Sequence, residues 1–320
     1  QNDFTTLNRW GGYRPMVYME SGIAVGIFMV NTVMASSIGL RARLKLLSAP
    51  SAWVMPYLLV FLMLTKSVAS MVWGALFAPL LLLLSPRRLA LIAVLMAGLV
   101  FFYPMLRLTD LFPWREIVSV AESVSPDRAR SLNYRFENDE NMLGKARERF
   151  LFGWGGYSRN WAYDPETGEH LTVPDGAWII RLSSNGLVGF YCLYSLYVIP
   201  VVLAFMRLPR IPGKRNQMMI AGLMLIVIIR AVDQLPNGLY SSYPIFLAGA
   251  LYNLTTALPL EHARKKRAAR QQARDGSPDG PSRPELASEE RPRRAAREQA
   301  EAPASTAALL GLRGDREQRR

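Results

Sequence analysis

Apolar runs of bilayer length constrain this chain more than anything else in it. The stretches from Met16 to Leu40, Leu89 to Leu106 and Gly186 to Met206, with Ala78 to Leu84 and the residues just before it, approach the roughly 20 apolar residues a helix needs to cross hydrocarbon. No water is available there for backbone N–H and C=O groups, so a segment must satisfy them internally, as a helix does. An all-α, polytopic membrane protein is therefore the predicted class. The mean hydropathy is near zero only because a polar tail is averaged with these runs. No signal-peptide pattern precedes the first run, and further membrane helices are expected upstream of Gln1.

About seven transmembrane segments are predicted, near residues 16–39, 51–66, 67–84, 88–106, 177–206, 216–234 and 241–258. The second and third are short, and Thr65-Lys66-Ser67 between them reads either as a tight hairpin or as a break in one helix that lines a cavity. Arg41, Arg43 and Lys45, then Arg87 and Arg88, then Arg207, Arg210, Lys214 and Arg215, then Arg264 to Arg267 all fall on one side, which the positive-inside rule makes cytoplasmic. Alternation then gathers residues 1–15, Lys66, the polar loop of residues 107–176 and Asp233 to Tyr240 on the outer face. Two membrane regions, 1–106 and 177–258, flank that loop. Residues 259–320, rich in Arg, Ala, Glu, Pro, Ser and Gln, are expected to be a disordered basic tail. Its Arg264 to Arg274 section reads either as a patch lying on anionic lipid headgroups or as an ordinary flank that stops transfer.

The formal charge of +13 concentrates in loops beside apolar segments and in the tail, which fits membrane topology and argues against a nucleic-acid partner. Cys192, the single cysteine, lies in an apolar run, so no intrachain disulfide or thiolate metal cluster is available and a small buried hydrophobe is expected. Two histidines, His170 and His262, cannot build a usual zinc site. No HExxH and no phosphate-binding glycine loop is present either. Neither a metal nor a cofactor is predicted.

What remains is a set of charges that topology brings to the outer face: Arg14, Lys66, Arg135, Arg147, Arg149, Arg159, Asp175, Arg181, Arg230 and Asp233. Guanidinium groups carry a permanent charge and a planar fork of donors suited to a diphosphate. Arg14 follows Trp10-Gly11-Gly12-Tyr13 and precedes Pro15, which is placed in the first turn of a helix. It reads as an anion ligand or as a cation snorkelling to headgroups. A helix from about Asn133 to Phe150 carries Arg135 and Asp139 at i,i+4, either an exposed face with a weak ion pair or part of the anion site. The Phe152-Gly153-Trp154-Gly155 turn offers aromatic faces to sugars or to the membrane interface. Asp175, just before a membrane helix, is an N-cap or a general base. Arg230 and Asp233 at i,i+3 neutralise one another or serve the site.

In order and topology these motifs resemble the O-antigen ligase and exopolysaccharide polymerase superfamily. They are Gly11-Gly12-Tyr13-Arg14-Pro15, Arg135 in its loop helix, Phe152-Gly153-Trp154-Gly155, Asp175-Gly176-Ala177-Trp178-Ile179 and Gly186-Leu187-Val188-Gly189, and the likeness covers roughly residues 9–255. It implies a multi-pass enzyme of the bacterial inner membrane with a periplasmic site. The reaction implied is inverting, metal-independent glycosyl transfer from undecaprenyl-diphosphate-linked glycan to an acceptor glycan. Arg14 and Arg135 would hold the diphosphate and stabilise the leaving group's charge, with Asp175 as base. Arg147, Arg159, Trp154, Lys66 and Arg230 are the further substrate-binding candidates, and membrane lipids are expected partners of the chain. Ligases of the superfamily carry a His-Asn pair where this chain has Asp175-Gly176, so Asp175 or His170 takes the histidine's place or this subfamily works differently, and polymerase stands ahead of ligase. A transporter or flippase of lipid-linked glycan is the alternative class, and a non-catalytic membrane scaffold a third.

Overall fold

Helix α1 (Gly22–Arg41) starts where Ser21, in extended backbone, accepts the Ala24 N–H on its hydroxyl at 3.2 Å. This corrects the expected start at residue 16 with Pro15 in the first turn, since residues 14–21 are not helical. The structure is a computed structural model that describes residues 8–9, 12–46, 49–164, 166–168, 171–172, 175–238 and 242–275. His170 and most of the tail lie outside the described residues. Two minimal antiparallel strand pairs, β1 (Asn8–Arg9) with β2 (Gly12–Tyr13) and β3 (Lys45–Leu46) with β4 (Ala49–Pro50), flank α1.

Helices α2 (Ser51–Leu64) and α3 (Val68–Leu83) meet at a tight turn in which Lys66 takes a left-handed φ of +51°. Ser37 of α1 lies against Met55 of α2, while Gly26 abuts Ser67 and Ser70 and Arg41 donates to the carbonyls of Leu81 and Leu84. These contacts make α2 antiparallel and α3 parallel to α1, so the Lys66 segment is a hairpin.

Next come α4 (Pro86–Leu108), then α5 (Trp114–Val124) and α6 (Pro126–Glu148) within the polar loop, then α7 (Ala177–Arg207), α8 (Lys214–Asp233) and α9 (Tyr243–Asp275). Fully buried Ala90, Ala93 and Ala97 on one side of α4 let neighbouring helices approach closely, and α4 packs on α7 and α8. On the outside Trp53, Tyr57, Leu95 and Phe102 are exposed, as expected where lipid is the solvent. Among the described residues four helices, Gly22–Arg41, Pro86–Leu108, Ala177–Arg210 with its 3-10 extension, and Lys214–Asp233, are long and apolar enough to cross a membrane, whereas Ala52–Leu64 and Val68–Leu83 are apolar but shorter. The chain is a multi-pass, all-α membrane protein. The tail boundary moves: helix α9 runs to Asp275, well past residue 259, because Ala, Arg, Lys and Gln favour helix. By compactness the chain divides at Arg264 into the helical bundle and a second unit, whose described part belongs to α9.

One joint fixes the polar loop to the bundle. At Gly186, with φ 66° and ψ −172°, α7 breaks, freeing backbone groups that must find partners. Leu187 and Val188 donate their N–H groups to the Phe150 and Leu151 carbonyls, and Trp154 and Gly155 donate to the Ser183 and Ser184 carbonyls at 2.9 and 2.8 Å. A Cβ at Gly186 would overlap the Leu151 carbonyl, and one at Gly153 (φ +70°) would lie 2.5 Å from the Ser184 carbonyl. Gly186→Ala therefore combines a backbone region open essentially to glycine with a backbone clash. It should lower the melting temperature in detergent by several degrees and expose the loop to protease, while Gly98→Ala, in open space on α4, should leave the melt unchanged or slightly raised.

Candidate functional site

Two adjoining cavities open at the end of the bundle that holds the α2–α3 turn. The first, about 430 Å³, is lined by Arg14, Ser67, Ala121, Ser131, Arg135 and Asn237 among others. The second, about 400 Å³, includes Trp73, Tyr103, Phe136, Asp139, Asp175 and again Arg135. Arg135, with Leu132 and Pro236, is thus the shared wall. Segments separated by more than two hundred residues of sequence converge here.

Two cations are accommodated by glycines. The aliphatic stem of Arg14 lies where a Cβ at Gly22 would be, and its Nη2 reaches the Lys66 carbonyl at 3.5 Å. A Cβ at Gly12 would meet the Lys66 ammonium at 2.5 Å, so Gly12 gives that side chain its place. Arg135 answers two chain segments at once. Its Nε is 3.2 Å from Asp175 Oδ2, and its Nη1 donates to the Pro236 carbonyl at 3.4 Å and to Asn237 Oδ1 at 3.5 Å. Its partner Asp175 does not cap α7, whose N-cap is Gly176 without a side-chain bond. Gly176 itself leaves no space for a Cβ against the Leu235 carbonyl.

The predicted i,i+4 partner of Arg135 turns elsewhere. Asp139 is buried and accepts the Trp178 indole N–H at 3.0 Å. Burial pushes its carboxyl up to about 7, against the lowering effect of that N–H and of the Arg107 guanidinium. Arg107, 2% exposed at the end of α4, donates to the Phe136 carbonyl and to Glu140 at 3.4 Å. Its buried Nε and Nη1 have no hydrogen-bond acceptor among the described residues, but its guanidinium stands 5.2 Å from the Phe136 ring and about 6 Å from those of Trp114 and Trp178.

Arg230 reaches the site only in relay. It donates to Asp233 at 2.9 Å, Asn237 donates to the same carboxylate at 3.0 Å, and Asn237 then meets Arg135. Trp154 is already engaged: its indole N–H donates to the Lys145 carbonyl, and Lys145 and Arg149 sit 3.9 and 4.2 Å from its ring. Arg147 donates to the Leu108 carbonyl and Arg159 to that of Gly156; both are exposed, and neither lines the two cavities. The structure thus joins Arg14, Lys66, Arg135 and Asp175 and leaves Arg147, Arg159 and Trp154 outside that group. Arg107 and Asn237 are the residues that spacing does not reveal, while Asp139, singled out by spacing with Arg135, instead takes its partner from Trp178.

Residues 53–194 match the family model described as O-antigen ligase. The match supports a glycan-ligation role in the membrane. It spans Lys66, Arg135 and Asp175, while Arg14 and Arg230 lie outside it. No curated protein and no solved structure matches the chain.

Asp139 gives a signed pH prediction. Its folded carboxyl titrates near 7 and an unfolded one near 4, so between those values the folded state binds more protons and stability falls as pH rises. Asp139→Asn keeps an acceptor for Trp178 without the charge. Relative to wild type its melting temperature should rise progressively from pH 4 to 7 and level off above, with no advantage at pH 4.

Proposed function

We propose that the chain transfers glycan from a prenyl-diphosphate-linked donor, the undecaprenyl form in the bacterial inner membrane, to an acceptor glycan hydroxyl, as a polysaccharide polymerase or ligase working at the periplasmic face. The observation that carries this is the placement of Arg14 and Arg135 on one cleft at a membrane end, with Asp175 ion-paired to Arg135. The family match over residues 53–194 supports the reaction class.

In the reaction, the acceptor oxygen attacks the anomeric carbon from the face opposite the diphosphate. The new C–O bond forms as the sugar–phosphate C–O bond breaks, inverting that carbon. The bonding pair leaves with the diphosphate, where Arg14 and Arg135 meet the developing charge. The acceptor proton passes to Asp175 and then to water. No step assigns a role to a metal.

The resting ion pair sets the order of events. With side chains 33% and 39% exposed, Arg135 and Asp175 form a pair worth about 0–1 kcal/mol. A diphosphate carries more charge than one carboxylate and can take its place on the guanidinium. Asp175 is then released beside the donor as a carboxylate ready for the acceptor proton.

The test is glycan formation in cells lacking the native gene and supplied with the full-length protein at matched membrane levels. Loss of one positioned charge stabiliser costs roughly 10²–10³ in rate. Arg14→Ala and Arg135→Ala should each lose that much, and Asp175→Asn about 10²-fold or more. Single lipid-linked repeats should accumulate while long glycan disappears. Normal glycan from all three variants would overturn the assignment of the site.

A further inference from the structure

At the opposite end of the bundle a second cleft, about 410 Å³, opens between the start of α4 and the end of α7. Its walls are apolar, formed by Leu91, Phe205, Met206, Leu208 and Pro209, and its rim carries Arg87 and Arg88. Leu91 and Met206 are 48% and 65% exposed, so the groove faces outward along the bundle.

Two other basic side chains at this end are already engaged. Arg41 is spent on the carbonyls that end α3, and Arg207 donates to Thr256 and lies over the Tyr252 ring at 5.2 Å. Arg87 and Arg88 are exposed and make no hydrogen bond or ion pair with another described residue. Local carboxylates are scarce as well. The sequence holds no Asp or Glu between Glu20 and Asp110 or between Asp175 and Asp233, which includes both chain segments that build the cleft.

Two adjacent guanidinium groups over an apolar groove at the end of membrane-spanning helices match one kind of ligand: a phosphate with acyl chains. We infer that this cleft binds an anionic phospholipid, with the headgroup phosphate on Arg87 and Arg88 and an acyl chain along Leu91, Phe205 and Met206. Basic pockets between helices on the cytoplasmic side have this chemistry, and the positive-inside rule puts this end there. The site is independent of the glycosyl-transfer reading. It holds the bundle at a fixed depth and favours anionic over zwitterionic lipid around α4 and α7.

Native mass spectrometry and lipid titration of the purified full-length protein test this, with dioleoylphosphatidylglycerol as probe and dioleoylphosphatidylcholine as neutral control. Wild type should retain phosphatidylglycerol selectively, and excess inorganic phosphate should not displace it, because phosphate lacks the chains that fill the groove. Two basic residues at a membrane surface each contribute a factor of about five, so Arg87→Gln/Arg88→Gln should weaken binding about thirtyfold. Lys214→Gln/Arg215→Gln, which removes the same charge from this end outside the cleft lining, should bind like wild type. Retention of phosphatidylglycerol by the Arg87/Arg88 variant, equal loss in the Lys214/Arg215 variant, or displacement by phosphate would each overturn the assignment.

Discussion

The end of the bundle that holds the α2–α3 turn is tied together at Arg135, whose guanidinium meets a carboxylate, a backbone carbonyl and a side-chain amide. The guanidinium ties α6 to the segment before α7 through Asp175 and to the turn after α8 through Pro236 and Asn237. Behind it, α6 is fixed by contacts that exclude solvent. Trp178 donates to buried Asp139, and Arg107, among aromatic rings, donates to Phe136 and Glu140 one turn further along. A half-exposed pair on a rigid support can exchange partners without moving the backbone that carries it. Such preorganisation is what charge stabilisation in a transition state requires.

The loop that carries α5 and α6 is joined to the membrane helices by backbone hydrogen bonds. Breaking α7 at Gly186 leaves backbone donors and acceptors that the 150–155 turn takes up, so the turn's position is set by backbone hydrogen bonds and two glycines. Trp154 packs inside this joint with Lys145 and Arg149 on its ring. That places it in the scaffold that fixes α6, at one remove from the cleft.

Much of this arrangement is legible in the sequence because membrane topology is. Apolar runs and flanking arginines predict Arg14, Lys66, Arg135 and Asp175 at one end without any knowledge of side-chain contacts, and the contacts in the structure link Arg14 with Lys66 and Arg135 with Asp175. Spacing along a helix was a weaker guide. Arg135 and Asp139 at i,i+4 share a face, yet Arg135 pairs with Asp175 just before α7 and Asp139 accepts from Trp178 in its first turn, since a face packed on another element is answered by that element. Arg147 lies twelve residues beyond Arg135, about 120° around the helix, and so turns away from the cleft. Arg107 looked like a boundary residue because its acceptors and rings come mainly from α5, α6 and α7, which no local pattern specifies. The early end expected for the last helix came from reading polarity as disorder, whereas the residues after 259 are good helix formers.

The exchange at Arg135 is the central claim, and direct binding tests it before any turnover is measured. Affinity of the purified protein for a short-chain prenyl diphosphate such as farnesyl diphosphate would be compared among wild type, Arg135→Gln and Asp175→Asn. Removing the guanidinium should weaken binding at least tenfold. Removing its carboxylate partner should tighten it severalfold, because the diphosphate no longer competes with an internal anion. Unchanged or weaker binding by Asp175→Asn, with Arg135→Gln binding like wild type, would contradict the account.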